Sequence, residues 1–341
     1  MLLVFKTTTV GSLPKPDWLA EPEKLWAAWH LSGAELQQGK ERSALEWLRE
    51  QEAAGIDIVG DGEQFRIHFV HGFLEQLEGI DWNRKTRMGI RNNRYEADVP
   101  TVTGPLSRPR PVHVADASFM RRHTSHRLKV TLPGPMTICD TLADGYYGRR
   151  ADMAMRFAEL LNAEAREIEA AGADVIQFDE PAFNVFLEEV RDWGLPALER
   201  AMQGLKATTV VHICYGYGIE ANIRWKESLG DQWRQYEQIF PWINASSVKQ
   251  VSLEFAGSRV PHDVLRLLPD KELLVGAIEV LPGKLETPEE VAHNILEATQ
   301  HVEKARLLPC TNCGMAPLSA ELARGKLRAL GQGAALARSR L

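Results

Sequence analysis

The chain has 341 residues, of which 44% are hydrophobic and 25% are charged, and its formal net charge at pH 7 is −6. This composition is typical of a soluble globular protein, and the negative charge argues against a general affinity for nucleic acid or for an anionic membrane surface. The sequence has no apolar run that approaches about 18 residues, so we expect no membrane-spanning helix and no membrane partner.

The cysteines and the N-terminus indicate a cytoplasmic protein. Four cysteines in a chain of this length are too few for a disulfide scaffold. We therefore expect them to be reduced and available for metal binding or chemistry, except Cys139, which we interpret as structural. The first six residues, Met-Leu-Leu-Val-Phe-Lys, lack a basic start followed by an apolar core and a cleavage site, so they predict a strand rather than a signal peptide.

Strand-like and helix-like segments alternate along nearly the whole chain, which indicates an α/β fold with parallel strands. Eight candidate strands are Leu3–Val10, Asp57–Gly60, Leu128–Leu132, Asp174–Phe178, Thr208–Ile213, Val248–Leu253, Leu273–Ala277 and Ala305–Leu308. Amphipathic helical patterns lie between them, most clearly at Ala151–Ala171. Thr287, followed by proline and two glutamates, has the features of a helix N-cap.

Eight such units predict a single (β/α)8 TIM barrel domain over residues 1–341. Polar residues follow the ends of the predicted strands, where a barrel brings them to one mouth: Ser12, Glu63, Asp179, His212, Cys214, Glu254 and Cys313. The alternative, a doubly wound open sheet, would favour a glycine-rich phosphate turn after a strand, and the sequence has none.

One connection is much longer than the others. Roughly 65 residues separate the second and third predicted strands. Residues 81–129 contain eleven lysines or arginines and four acidic residues, a local charge of +7 that leaves −13 for the rest of the chain. We predict a solvated, β-hairpin-like excursion at about residues 81–127. Its alternative role is a docking surface for an anionic substrate tail or for an acidic partner protein.

The segment Val-Val-His212-Ile-Cys214-Tyr-Gly carries the strongest chemical signal. Side chains alternate along a strand, so His212 and Cys214 project to the same side. With Glu254 and Cys313 from other strand ends, they form a set of ligands that zinc prefers. A site with two thiolates and a carboxylate is electron-rich and suits activation of a thiol substrate better than hydrolysis. In the alternative interpretation, Cys214 is a small core residue and His212 a satisfied buried histidine.

Six motifs in this order resemble those of the catalytic barrel of cobalamin-independent methionine synthase. They are Thr-Val-Gly11-Ser12-Leu-Pro, Gly60-Asp-Gly-Glu63, Leu-Pro-Gly134-Pro135-Met-Thr, Gln177-Phe-Asp179-Glu-Pro181, His212-x-Cys214 and Asn312-Cys313-Gly314. The resemblance implies a barrel whose Zn2+ binds homocysteine as a thiolate, which then accepts a methyl group. It also implies His212, Cys214, Glu254 and Cys313 as the zinc ligands. Cys310 is a rival to Cys313, because Cys310-x-x-Cys313 could chelate a metal.

The resemblance also implies how the amino-acid end of homocysteine is held. Glu63 and Asp179 match the acids that bind its ammonium group, and Gly11 and Ser12 match the turn that receives its carboxylate. Each residue has a structural alternative: a helix N-terminal acid for Glu63, a strand-end cap for Asp179 and an ordinary turn for Ser12.

The sequence departs from the family on the side of the methyl donor. There is room for one barrel and not two, and Thr141 and Leu281 stand where the family has a folate-stacking tryptophan and a proton-relay histidine. The donor is therefore a methyltetrahydrofolate without polyglutamate dependence, a methylcorrinoid, or a methyl group delivered by a partner protein. Candidates to replace the lost groups are Tyr146, Tyr147 and Trp82 for stacking, and Asp140, His113, His123 and His126 for proton transfer.

We therefore predict a zinc-dependent methyltransferase that forms methionine from homocysteine. A second hypothesis is alkyl transfer to another thiol such as coenzyme M, although that thiol has no ammonium group for Glu63 and Asp179. A third is a non-catalytic module that binds homocysteine or zinc and contacts a partner through the basic excursion.

Overall fold

The computed structural model describes residues 4–217 and 220–341. Its strands are β1 Ile58–Val59, β2 Glu78–Ile90, β3 Tyr95–Ser107, β4 Arg127–Pro133, β5 Ala143–Asp144, β6 Val175–Asp179, β7 Thr208–Ile213, β8 Gln250–Leu253, β9 Glu272–Ile278 and β10 Leu307–Thr311. Its α-helices are α1 Gly33–Ala53, α2 His71–Leu74, α3 Val114–Arg121, α4 Pro135–Cys139, α5 Arg150–Ala170, α6 Leu187–Glu189, α7 Leu195–Met202, α8 Glu220–Glu227, α9 Gln235–Ala245, α10 Pro288–Ala298 and α11 Ala320–Ser339. Among the helices of the described ranges, none combines the length and the apolar character that a membrane crossing needs.

A parallel sheet of seven strands, in the order β1-β4-β6-β7-β8-β9-β10, forms the wall of the barrel. The N-terminal segment lies between its two edges: Thr8 forms a parallel bridge with Ile58 of β1, and its amide donates to Pro309 O of β10 at 3.2 Å. The predicted TIM-barrel fold is confirmed. The first strand was predicted as continuous over Leu3–Val10, but Phe5 has a φ of +54°, which interrupts the extended backbone. Leu3 lies outside the described residues.

The other barrel strands lie close to their predicted positions, and β7 matches the prediction at both ends. The last strand begins and ends later than predicted, because Lys304–Arg306 form a short 3-10 turn before β10. This shift places Cys310 inside the strand. Its side chain belongs to a buried cluster of six residues that is separate from the main core. Five of the seven barrel strands contribute residues to this cluster.

The long connection forms the predicted hairpin. Strands β2 and β3 pair antiparallel, with Ile90 opposite Tyr95 at the tip. Three consecutive residues of the turn, Arg91 to Asn93, have positive φ, the conformation that a tight hairpin turn requires. Lys129, counted above with the basic excursion, belongs instead to β4 and donates to Gln177 Oε1 at 3.0 Å within the barrel.

A buried ion pair joins the C-terminal helix α11 to the connection between β9 and α10. Lys326 Nζ lies 2.7 Å from Glu286 Oε2, and both side chains are almost fully buried. The other carboxylate oxygen of Glu286 accepts the Glu279 amide at 2.9 Å. Each charge is therefore desolvated and depends on its partner.

We expect Lys326→Met to lower the free energy of unfolding by about 3–5 kcal/mol, because it leaves the Glu286 carboxylate buried without its cation. Urea unfolding measures this loss. The double variant Lys326→Met/Glu286→Gln should recover part of it. Arg42→Ala breaks an exposed pair with Glu46 and should cost less than about 1 kcal/mol. A cost for Lys326→Met no larger than that of Arg42→Ala would contradict the prediction.

Candidate active site

The carboxyl ends of the barrel strands surround a cavity of about 320 Å³. A cavity of this size at this face of a barrel is the usual position of an active site. Six of the residues predicted from strand ends line it: Ser12, Glu63, Asp179, His212, Cys214 and Cys313. The barrel topology therefore brings together side chains that are up to 301 positions apart in the sequence.

His212, Cys214 and Cys313 form a group that fits a metal ion. Their ligand atoms all lie within 4.8 Å of one another, and the two sulfur atoms are 3.5 Å apart. His212 Nδ1 is hydrogen-bonded to Ser252 Oγ at 2.9 Å, while its Nε2 is buried and has no hydrogen-bond partner within the described ranges. A histidine oriented through one nitrogen, with the other free beside two thiols, is the arrangement of a metal ligand.

The two thiols differ in acidity. The hydrogen bond between them lowers the pKa of Cys214 well below its usual range, against the opposing effect of burial. The same hydrogen bond, followed by burial, raises the pKa of Cys313 well above its usual range. The amide of Gly216 also donates to Cys214 Sγ at 3.3 Å. The pair thus favours one thiolate and disfavours a second, which a bound cation would stabilise. Soft thiolates with an imidazole favour zinc over magnesium or calcium.

Glu254 lies beside this group but is held by other partners. Leu253 pairs with Ile213 in the sheet, so Glu254 is level with Cys214. Its carboxylate accepts a hydrogen bond from the Tyr215 amide at 3.0 Å and another from Lys226 Nζ at 2.7 Å. Burial raises the pKa of Glu254 and Lys226 opposes this. Its role as a fourth ligand stays a prediction.

Cys310 does not join the metal group of the described residues. Its thiol donates to Thr311 O at 3.2 Å in the barrel interior, and burial raises its pKa to about 12. A thiol that stays protonated and faces away from Cys313 is a poor ligand. The structure therefore favours Cys313 over its rival.

Two acids line the same cavity, and Asp179 pairs with His212 across the neighbouring strands β6 and β7. Glu63 Oε1 accepts Thr131 Oγ1 at 3.0 Å and pairs with Arg66 at 3.2 Å, so its charge is already balanced. Asp179 accepts Gln177 Nε2 at 2.7 Å. Burial raises the pKa of Asp179 to about 7, against the lowering effect of His212. A bound ammonium group would therefore stabilise the ionised carboxylate of Asp179 more than that of Glu63, which already has Arg66 as its partner.

The turn at Gly11 and Ser12 is tightly constrained. A Cβ atom at Gly11 would lie 3.0 Å from Glu63 Oε1, and one at Gly314 would collide with Ser12 Oγ. Ser12 Oγ is hydrogen-bonded to the hydroxyl of Tyr217 at 3.3 Å. The two glycines leave room for a ligand group near the serine hydroxyl, which agrees with the predicted carboxylate site without testing it.

The tip of the hairpin covers part of the cavity, and sequence reasoning missed its residues Arg91, Arg94 and Tyr95. Their only signal was the high basic charge of the excursion. Asp140, the predicted proton-transfer residue, is buried; its carboxylate pairs with Arg91 and accepts the Arg91 amide at 3.1 Å. It is absent from the residues found to line the cavity in the described structure.

Aromatic residues on the cavity also differ from those proposed. Trp26 lines it and stacks on His68, with ring centroids 3.7 Å apart and planes inclined by 7°. Thr141 lines it as well. The other candidates for stacking or proton transfer do not appear among the lining residues of the described chain: Tyr146, Tyr147, Trp82, His113, His123 and His126. Leu281, which stands in place of the family's histidine, is not among them either. Trp26 was missed because it precedes α1 in a loop without periodic pattern.

The chain matches the family model described as "Cobalamin-independent synthase, Catalytic domain" over residues 5–335. Two curated relatives are methionine synthases. The one from Sulfurisphaera tokodaii is 29% identical over 341 residues, covering 100% of this chain and 94% of that protein. The one from Saccharolobus solfataricus is 30% identical over 345 residues, covering 100% and 97%.

Solved structures give the same result. A B12-independent methionine synthase from Shewanella sp. W3-18-1, in complex with selenomethionine, superposes with a TM-score of 0.97 at 53% identity and 99% coverage of both chains. A putative vitamin-B12 independent methionine synthase from Listeria monocytogenes has a TM-score of 0.69 at 19% identity, with 98% coverage of both chains, and supports the fold alone.

Proposed function

Because the chain belongs to the cobalamin-independent methionine synthase family, we propose that it is a zinc-dependent methyltransferase that methylates the thiol of homocysteine. Methyl transfer and methionine formation follow from the family; zinc and the identity of the donor are the proposal. The observation that carries it is the convergence of His212, Cys214 and Cys313 within 4.8 Å. We further propose that residues 1–341 act as one barrel domain in the cytoplasm, with the excursion at about 81–127.

Zinc bound by these residues would supply a Lewis acid that keeps the homocysteine thiol deprotonated at neutral pH. We propose Glu254 as the fourth ligand in the absence of substrate. It would have to give up its contact with Lys226, 2.7 Å away, to serve in this way. Ser252 is hydrogen-bonded to Nδ1 of His212 and so orients the ring, whose Nε2 has no hydrogen-bond partner among the described residues.

The amino-acid end of homocysteine would be held in the same cavity, next to the metal group. Asp179 and Glu63 would bind the ammonium group, and Gly11 with Ser12 would receive the carboxylate. Holding both ends fixes the sulfur relative to the incoming methyl group, which removes an entropic cost from the reaction. Glu63 is already paired with Arg66, but a sulfonate thiol such as coenzyme M has no cation to offset the charge of Asp179, so Asp179 supports homocysteine as the acceptor. The selenomethionine bound to the Shewanella relative is an analogue of the expected product.

The donor is proposed to be methyltetrahydrofolate without polyglutamate dependence, or a methylcorrinoid that a partner protein could deliver. The two are distinguished by reaction of the zinc-loaded protein with homocysteine and each donor, with methionine as the measured product. Methionine from one donor and not the other identifies it. If neither gives methionine and homocysteine also fails to bind, the proposed function is wrong.

A further inference from the structure

Arg94 lines the cavity and has two hydrogen-bond donor atoms without a partner among the described residues. It lies at the hairpin tip, lines the cavity, and packs its guanidinium 3.1 Å from the ring centroid of Trp225. Its Nε and Nη2 atoms are buried and have no hydrogen-bond partner in the part of the chain that the structure describes. Burial lowers the pKa of Arg94 to about 9, so it remains charged at neutral pH. A buried cation with two free donors is costly unless a ligand completes it.

The neighbouring cation is already neutralised. Arg91 pairs with Asp140, whose carboxylate also lies 3.8 Å from Arg150. Within the described ranges, Arg94 is thus the cavity-lining cation without an acidic partner. A guanidinium presents its donors in a planar fork that matches a carboxylate or a phosphate.

The cavity also offers a flat apolar surface. Trp26 is 49% exposed and stacks on His68, with His71 packed edge-on against it. Burial, followed by nearby positive groups, holds the pKa of His68 well below its usual range, so its ring is neutral. The stack is therefore a rigid, uncharged aromatic platform whose outer face suits another planar ring.

We propose that Arg94 and Trp26 form the methyl-donor half of the site and recognise a planar donor that carries an anionic group. Trp26 stacks on the ring and the free donors of Arg94 bind the carboxylate or phosphate. This inference rests on the proposed function. In this chain Thr141 stands where the family has its folate-stacking tryptophan. Under this proposal, Trp26 and Arg94 contact the donor instead.

The test uses two probes with the same ring and different charge. One is 5-methyltetrahydrofolate with a single glutamate; the other is 5-methyltetrahydropterin, which lacks the carboxylates. Dissociation constants are measured by calorimetry on zinc-loaded wild type, Arg94→Gln, Arg94→Lys and Trp26→Ala. Arg87→Gln is the matched control, because Arg87 lies on the same hairpin with 58% of its side chain exposed and contacts only Glu96 and Asp98 among acids of the described chain.

We expect Arg94→Gln to weaken binding of the folate by about tenfold or more and Arg94→Lys to weaken it less. Arg87→Gln should leave the dissociation constant of the folate unchanged. The pterin should bind wild type and Arg94→Gln equally, and Trp26→Ala should weaken both probes. Equal loss of both probes in Arg94→Gln, or no binding of either probe to wild type, would overturn the proposal.

Homocysteine binding and zinc content, measured on the same samples, report separately on the proposed function. If Arg94→Gln loses homocysteine and keeps the folate, Arg94 serves the acceptor and the inference is wrong, while the proposed function stands. If wild type binds no homocysteine, the proposed function fails whatever the probes do.

Discussion

Cys214→Ser and Cys313→Ser are each expected to lose the zinc ion that we propose the wild type binds at about one per chain. The hydroxyl of serine is a far weaker zinc ligand than a thiolate, and the two sulfur atoms lie only 3.5 Å apart in the group. Loss of residues that merely support metal ligands costs about 10–100-fold in affinity, so loss of a ligand should cost more than about 100-fold. Metal content after dialysis and a competitive chelator titration measure the effect.

Two other cysteines provide matched controls for this prediction. Cys310 lies in the barrel interior and Cys139 lies at the end of α4, where its thiol contacts Arg150 O at 3.8 Å. Cys310→Ser and Cys139→Ser should keep the full zinc content. Zinc that survives both Cys214→Ser and Cys313→Ser would refute the metal site, and zinc lost in Cys310→Ser would restore the rival ligand.

Six of the seven polar residues predicted from strand ends line one cavity, because their placement depends on local chain geometry. His212 and Cys214 are two residues apart at the end of β7, so alternation alone places both side chains on one side. The closure of parallel strands then brings Cys313, after β10, to the same mouth. Each step needs only the strand assignment, which hydrophobic pattern gives well for buried parallel strands.

The predictions that failed or stayed open depend on contacts between distant segments. No local pattern shows that the hairpin tip folds over the mouth, so Arg94 was counted only as surface charge. Asp140 was a candidate for proton transfer to the donor, and the sequence did not show that the same hairpin brings Arg91 to its carboxylate. Lys226, which holds Glu254, lies on α8, and helical periodicity does not reveal which loop or strand its charged face meets.

Asp179→Asn is expected to weaken homocysteine binding by about 30-fold or more, because it removes the negative charge that we propose binds the ammonium group. Glu63 is already paired with Arg66, so it should not replace Asp179. Calorimetry on the zinc-loaded protein measures the loss. 3-Mercaptopropionate, which has the thiol and carboxylate without the amine, should bind wild type and Asp179→Asn with similar affinity. An equal loss for both thiols would place Asp179 outside the ammonium site.

The same assignment predicts how methionine, which has no titrating thiol, responds to pH. Asp179 has a pKa of about 7 in the folded protein. Below that pH it is mostly protonated and neutral, and above it the carboxylate is ionised and attracts the ammonium group. Methionine should therefore bind wild type more tightly at pH 8 than at pH 6, and this dependence should vanish in Asp179→Asn. Binding to wild type that weakens as the pH rises would contradict the assignment, because only the ionised carboxylate attracts the cation.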